Sequence, residues 1–192
     1  STIAKRLVSI SEHKQVFIFT HDLVFVSSLM NYAKDNNLSH ECHWIENRNR
    51  KPGQVWLRNS PAYENVYRNA EPVNKIYSEA NKENCAPEER QRLVTSGFTA
   101  LRTCYEVLVI NGLFKNVVQR YNERISVDSL RNVSFNEELI NDLLDSFAQC
   151  CRYMEGHTHS DKYSYQKPDP SNLKDEIQRY DIIKNKIKKF KK

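Results

Sequence analysis

Between Glu88 and Ile110 the large residues Val94, Phe98, Leu101, Tyr105 and Leu108 stand four, three, four and three positions apart. That is the repeat of an α-helix, not the two-residue alternation of a half-buried strand. A long helix with one apolar stripe has to bury that stripe against other elements. The second half of the chain is therefore expected to be a helical bundle. Leu113–Tyr121, after Gly112, reads as a second helix. Ile140, Leu143, Leu144, Phe147, Cys151 and Met154 define a third, starting at Ser134 or at Asn136 and Glu137. Pro168 and Pro170 break the chain before a last helix that runs from Ser171 into a lysine-rich end.

The first third has a different texture. Residues 2–12 carry Ile3, Leu7 and Ile10 at helical intervals. Val16-Phe17-Ile18-Phe19-Thr20 follows as a short continuous apolar run, the pattern of a parallel strand buried on both faces. Leu23, Val24, Val26, Leu29 and Tyr32 then resume a helix to about Lys34. Cys42–Glu46 and Gln54–Arg58 read as two short strands around Lys51-Pro52-Gly53, with Trp44 and Trp56 expected to pack a core. Residues 61–86 are polar, carry Pro61 and Pro72, and hold one helix near Val73–Asn81. The expected fold is α+β, mostly α: a helix-strand-helix remnant of an α/β domain over 1–60, a connector over 61–86, and a helical bundle with a basic tail over 87–192.

Charge is concentrated at one end. The chain of 192 residues has 29 Lys+Arg against 24 Asp+Glu, a net charge of +5. Lys184, Lys186, Lys188, Lys189, Lys191 and Lys192 contribute six positive charges, leaving 5 − 6 = −1 for the rest. A solvated helix end favoured by the helix dipole accounts for the run first, and a salt-sensitive nucleic-acid contact second. A mean hydropathy of −0.72 and the lack of an apolar run near 18 residues argue against a membrane span. Five cysteines without a C-x-x-C pair fit a reducing, cytoplasmic setting. His40 and His43 flank Cys42 without the second ligand pair that a metal site requires. The chain opens on Ser1-Thr2-Ile3 inside a helical pattern, which suggests a piece of a longer protein.

His21 stands just past the apolar run, in QVFIFTHD. At the C-terminal end of a parallel strand a histidine can meet a γ-phosphate or its attacking water; equally, it can cap the helix that starts near Asp22. Residues 1–32 resemble the end of an ABC-type ATPase head of the SMC-like and RecF-like kind, in which a buried strand ends in the switch histidine. The resemblance implies that His21, with Asp22, contacts bound nucleotide, and that ATP and Mg²⁺ are cofactors of a full-length parent protein. Gly53, Gly97, Gly112 and Gly156, the only glycines, cannot supply the G-x-x-x-x-G-K-[ST] loop that cradles phosphates. By itself this chain is not expected to hydrolyse ATP.

Two polar constellations mark the helical half. Arg102-x-x-x-Glu106 puts a base and an acid on one helix face, where an ordinary ion pair is the simplest account. Arg152-Tyr153-Met154-Glu155-Gly156-His157-Thr158-His159 places an arginine at a helix end and histidines just beyond. Arginine can stabilise charge on a phosphorane while histidine moves the proton of a 2′-hydroxyl or of the leaving oxygen. Such chemistry needs RNA and no metal. If 155–161 is extended, Glu155, His157, His159 and Asp161 form an alternative zinc or manganese ligand set.

Arg152-x-x-x-x-His157 resembles the motif of HEPN ribonucleases. Arg102-x-x-x-Glu106 with a later histidine is similar to the PrrC and RloC type of anticodon nuclease, in which an ABC ATPase head precedes a tRNA-cutting domain. The resemblance implies Arg102, Glu106, Arg152 and His157 or His159 as the catalytic set, RNA such as tRNA as substrate, an upstream ATPase head, a homodimer and a role in antiphage defence. The rival expectation is a non-catalytic dimerisation or docking module of a DNA-repair or defence ATPase, with a partner nuclease or defence subunit doing the cutting.

Overall fold

The chain divides into two units, residues 1–64 with 118–125, and residues 65–117 with 126–192. The structure, a computed structural model, describes residues 1–48, 51–59, 66–122, 125–154 and 167–189. The connector expected over 61–86 is, over its described residues, part of the second unit.

In the first unit, helices α1 (Thr2–Ser11) and α2 (Leu23–Asp35) pack together through small residues, burying Ala4 and Val8 of one and Ser27 and Ala33 of the other. Asp22 is the N-cap of α2: its carboxylate accepts from the amides of Val24 and Phe25 at 2.9 and 3.1 Å. Strands β1 (Trp44–Arg48) and β2 (Lys51–Trp56) form an antiparallel hairpin, with Trp44 opposite Trp56 and a bulge between Glu46 and Arg48. Lys51-Pro52-Gly53, expected as the turn, lies within β2. Gly53 takes a φ of +81° there, which few side chains tolerate. Every residue of β2 is exposed, so Trp56 lies on the surface and does not fill a core.

The expected buried strand does not form. Val16–Thr20 makes no ladder, and Phe17 and Phe19 are 75% and 85% exposed. A continuous apolar run becomes a central strand only where neighbours supply hydrogen-bonding partners. Among the described residues the one sheet is the β1–β2 hairpin. The fold is therefore α+β and mostly α, without a helix-strand-helix layer.

The second unit is built on α4 (Pro87–Leu108), which buries Val94, Phe98, Leu101, Cys104, Tyr105 and Leu108. Helices α3 (Glu71–Ala80), α5 (Glu137–Tyr153) and α6 (Pro170–Lys189) all pack on it. α6 contributes Leu173, Ile177, Tyr180, Ile183 and Ile187 to the core. Among the described residues, the stretch Pro87–Leu113 is long and apolar enough to cross a membrane by length and composition. Here it is the central helix of a packed core.

Two further expectations change. Leu113–Tyr121 is not a helix: after a π turn at Val109–Leu113, Lys115 and Asn116 take φ of +47° and +61°, which ends the helical path. The buried face of α5 is Leu139, Leu143, Ser146 and Cys150, while Leu144 is exposed. The apolar residues place that face one position away, because Ser146 and Cys150 are buried as small residues beneath Tyr105.

Candidate functional site

Arg102 faces α5 from the side of α4, with Glu106 one turn further along the same helix. Their side chains form an ion pair, Nη2 to Oε1 at 2.9 Å, and are 32% and 26% exposed. The guanidinium also lies over the Phe147 ring, 5.2 Å from its centroid, so α5 covers one of its faces. Its Nε is buried and, among the described residues, has no hydrogen-bond partner. The pair is thus more sheltered than an ordinary surface pair, yet partly open to solvent.

The end of α5 lies one turn of α4 away. Tyr153 packs on Phe98, four residues before Arg102, with ring centroids 5.0 Å apart. Arg152 sits on the last turn of α5, exposed, and donates to Gln149 Oε1 at 3.2 Å. Glu155, His157, His159 and Asp161, the histidines of the catalytic set and the alternative metal ligands, lie outside the described residues. Among the described residues no group of three or more His, Cys, Asp and Glu side chains is placed to hold a metal ion.

His21 is exposed, in the irregular segment that leads into α2. Asp22 is engaged as a helix cap, which accounts for it without a nucleotide. The glycine loop that cradles phosphates is absent from this sequence. Cys42 has beside it His43, whose Nδ1 accepts from the Arg58 amide at 3.0 Å, and Glu41, which pairs with Arg58 at 3.2 Å. Those contacts tie the base of the hairpin.

A buried polar cluster was not singled out from the sequence. Tyr105 of α4 donates to Glu176 Oε1 of α6 at 3.2 Å, with both residues in the core. Burial pushes the Glu176 carboxyl above the ordinary carboxylate range, an effect that Ser146 and Tyr105 partly oppose. Ser146 Oγ stands beside the pair without completing a hydrogen bond of good geometry. Tyr180 packs edge-on against Tyr105, centroids 5.1 Å apart. The signal was available: Glu176 falls in the stripe Leu173, Ile177, Tyr180, Ile183, where an acid is out of place.

Comparison with protein-family models, with curated proteins and with solved structures returns no match.

Proposed function

We propose that this chain is the C-terminal part of an ABC-type ATPase whose helical unit cleaves RNA without a metal. The observation that carries this reading is the half-buried Arg102–Glu106 pair on α4, with the end of α5 packed about one helical turn before Arg102. Phe98, against which Tyr153 packs, precedes Arg102 by about 6 Å of helix. His157 follows Tyr153 by four residues, at most roughly 14 Å of extended chain. Chain length thus allows His157 to approach the Arg102 guanidinium.

In this reading Glu106 and Phe147 hold Arg102 so that its guanidinium binds the scissile phosphate, with Arg152 as a second cation. One histidine takes the proton of the 2′-hydroxyl as that oxygen attacks phosphorus. The 5′ oxygen then leaves with a proton given by the protonated histidine, and a 2′,3′-cyclic phosphate and a 5′-hydroxyl result. ATP and Mg²⁺ belong to the parent's head, through His21 in that reading, and the sites pair in a homodimer in the cytoplasm.

The test is cleavage of labelled tRNA, in EDTA, by the parent protein. Arg102→Ala and His157→Ala should each abolish cutting, with circular dichroism unchanged. Wild-type cutting by both variants removes these residues from the mechanism, and cutting lost only in EDTA shifts the reading to the Glu155-His157-His159-Asp161 metal set.

A second reading has its own support. The exposed Phe17 and Phe19 suit a docking module, in which a partner covers the first unit and does the cutting. Under it, the parent shows no nuclease activity with or without metal.

A further inference from the structure

The second unit carries a basic cavity on the far side of α4 from Arg102. It is lined by Arg68, Lys115, Lys184 and Lys188 around an apolar floor that includes Leu108 and Ile187. Its volume is about 240 Å³, and among the described residues no acid lines it. At 100° per residue Val107 and Leu108 stand roughly 140° and 240° around α4 from Arg102. The cavity is separate from the candidate cleavage site.

Three pieces of backbone build it. The 3₁₀ turn Val66–Arg68 brings Arg68, and the last turns of α6 bring Lys184 and Lys188. The π turn at Val109–Leu113 gives way to the left-handed pair Lys115 and Asn116, so the chain folds back over the floor; the Asn116 amide bonds the Ile110 carbonyl at 2.9 Å. Lys184 Nζ donates to the Arg68 carbonyl at 2.8 Å, which joins α6 to the 3₁₀ turn. Lys184 and Lys188, one helical turn apart, repel one another. Burial, and then Lys188, lower the Lys184 pKa, with Asp181 opposing. An anion between these cations relieves that repulsion.

We propose that this cavity binds one nucleotide unit of an RNA strand, with the phosphate among Arg68, Lys184 and Lys188 and the base or sugar on the Leu108–Ile187 floor. The cavity is smaller than the roughly 300–1,000 Å³ of pockets that enclose drug-sized ligands, which suits one nucleotide and not two. Asn111 and Asn116, also on its wall, offer amides to a base edge. The proposal draws on RNA as the partner in the reading above but makes this face a grip and not a blade.

The experiment is fluorescence anisotropy of the full chain with a labelled single-stranded RNA of about 12 nucleotides, a length within the usual site size of such grooves. Arg68→Glu and Lys188→Glu alter exposed side chains and leave the fold unchanged by circular dichroism. Lys174→Glu, exposed near the start of the same helix, makes the same charge change far from the cavity. Each cavity variant should weaken RNA binding about tenfold or more and flatten its salt dependence, while Lys174→Glu costs less than about twofold. AMP should compete in the wild type. If AMP binding alone is lost in the cavity variants, the occupant is a free nucleotide and the RNA assignment falls. Equal weakening by all three variants reduces the effect to diffuse charge and overturns the proposal, as does no RNA binding at all. Binding is read apart from cutting: an Arg102→Ala protein that no longer cleaves should still bind, and loss of cleavage chemistry leaves this result intact.

Discussion

Tyr105→Phe removes one oxygen from the core and leaves its shape unchanged. The oxygen is the donor to Glu176, and both residues are shielded from water. Depriving a buried acceptor of its donor costs about 1–3 kcal/mol. For a chain of this size that is a fall in Tm of roughly 3–10 °C. The cost depends on pH with a definite sign. Burial raises the Glu176 pKa in the folded state, so the folded protein holds a proton that the unfolded chain has released. The contribution of Glu176 to stability is therefore fully present below the ordinary glutamate pKa, about 4.3, and is lost as pH rises through the raised value. The Tyr105 hydroxyl favours the ionised form, so its loss should cost more near neutral pH than near pH ~4. Glu176→Gln should remove the slope. Tyr105→Phe with Glu176→Leu replaces both partners by apolar groups and should cost clearly less than the two single changes summed. Urea unfolding followed by far-UV circular dichroism measures this. Tryptophan fluorescence is the control, since Trp44 and Trp56 both lie in the hairpin of the other unit. A Tyr105→Phe protein with wild-type stability at every pH, or a strictly additive double variant, refutes the reasoning.

Two further outcomes are expected. Burial pushes the Cys104 thiol up to about 12 and raises that of Cys150 as well, and neither is exposed. A thiol reagent at pH ~8 should label no more than three of the five cysteines in the native protein, with Cys104 and Cys150 reacting only on unfolding; prompt labelling of Cys104 would show that the core is open. Asn136 Oδ1 accepts from the Leu139 amide at 2.8 Å and caps α5. Asn136→Ala should lower unfolding stability by about 1 kcal/mol and Asn136→Asp should be close to neutral, as measured by urea unfolding.

What the sequence reveals tracks how local the cause is. α4 follows from its spacing because the stripe Val94–Leu108 is both periodic and large. Asn136, the observed cap of α5, is one of two starts the sequence offers, since capping depends on residues a turn apart. The buried face of α5, Leu139, Leu143, Ser146 and Cys150, does not follow from its large apolar residues, because burial there depends on packing against another helix. The end of α4 was misjudged for a related reason. Lys115 gives no sign of a left-handed conformation, and Asn116, which favours one more than most residues, signals it less plainly than glycine, so Leu113–Tyr121 has a helical look. Val16–Thr20 failed differently. Its composition is that of a strand, but a strand is a relation between segments, and the described residues offer it no neighbour.

The candidate site is harder to read than the fold because an i, i+4 ion pair looks the same in sequence whether or not it works on a substrate. Environment is what distinguishes Arg102 from its neighbours. Arg92 pairs with Glu89 on the exposed side of the same helix, where water screens both charges. Arg102 instead is packed between helices, stacked on Phe147, with a buried Nε that bonds nothing among the described residues. An orphaned donor costs about 1–3 kcal/mol, and an aliphatic residue would fill the same space without that penalty. A purely structural role accounts poorly for a guanidinium there. A role that needs the charge at the partly open end of the side chain accounts for it better, because a guanidinium can lie over the Phe147 ring and still present N–H donors to an anion. That asymmetry, and not the R-x-x-x-E spacing, is the reason to test Arg102 first.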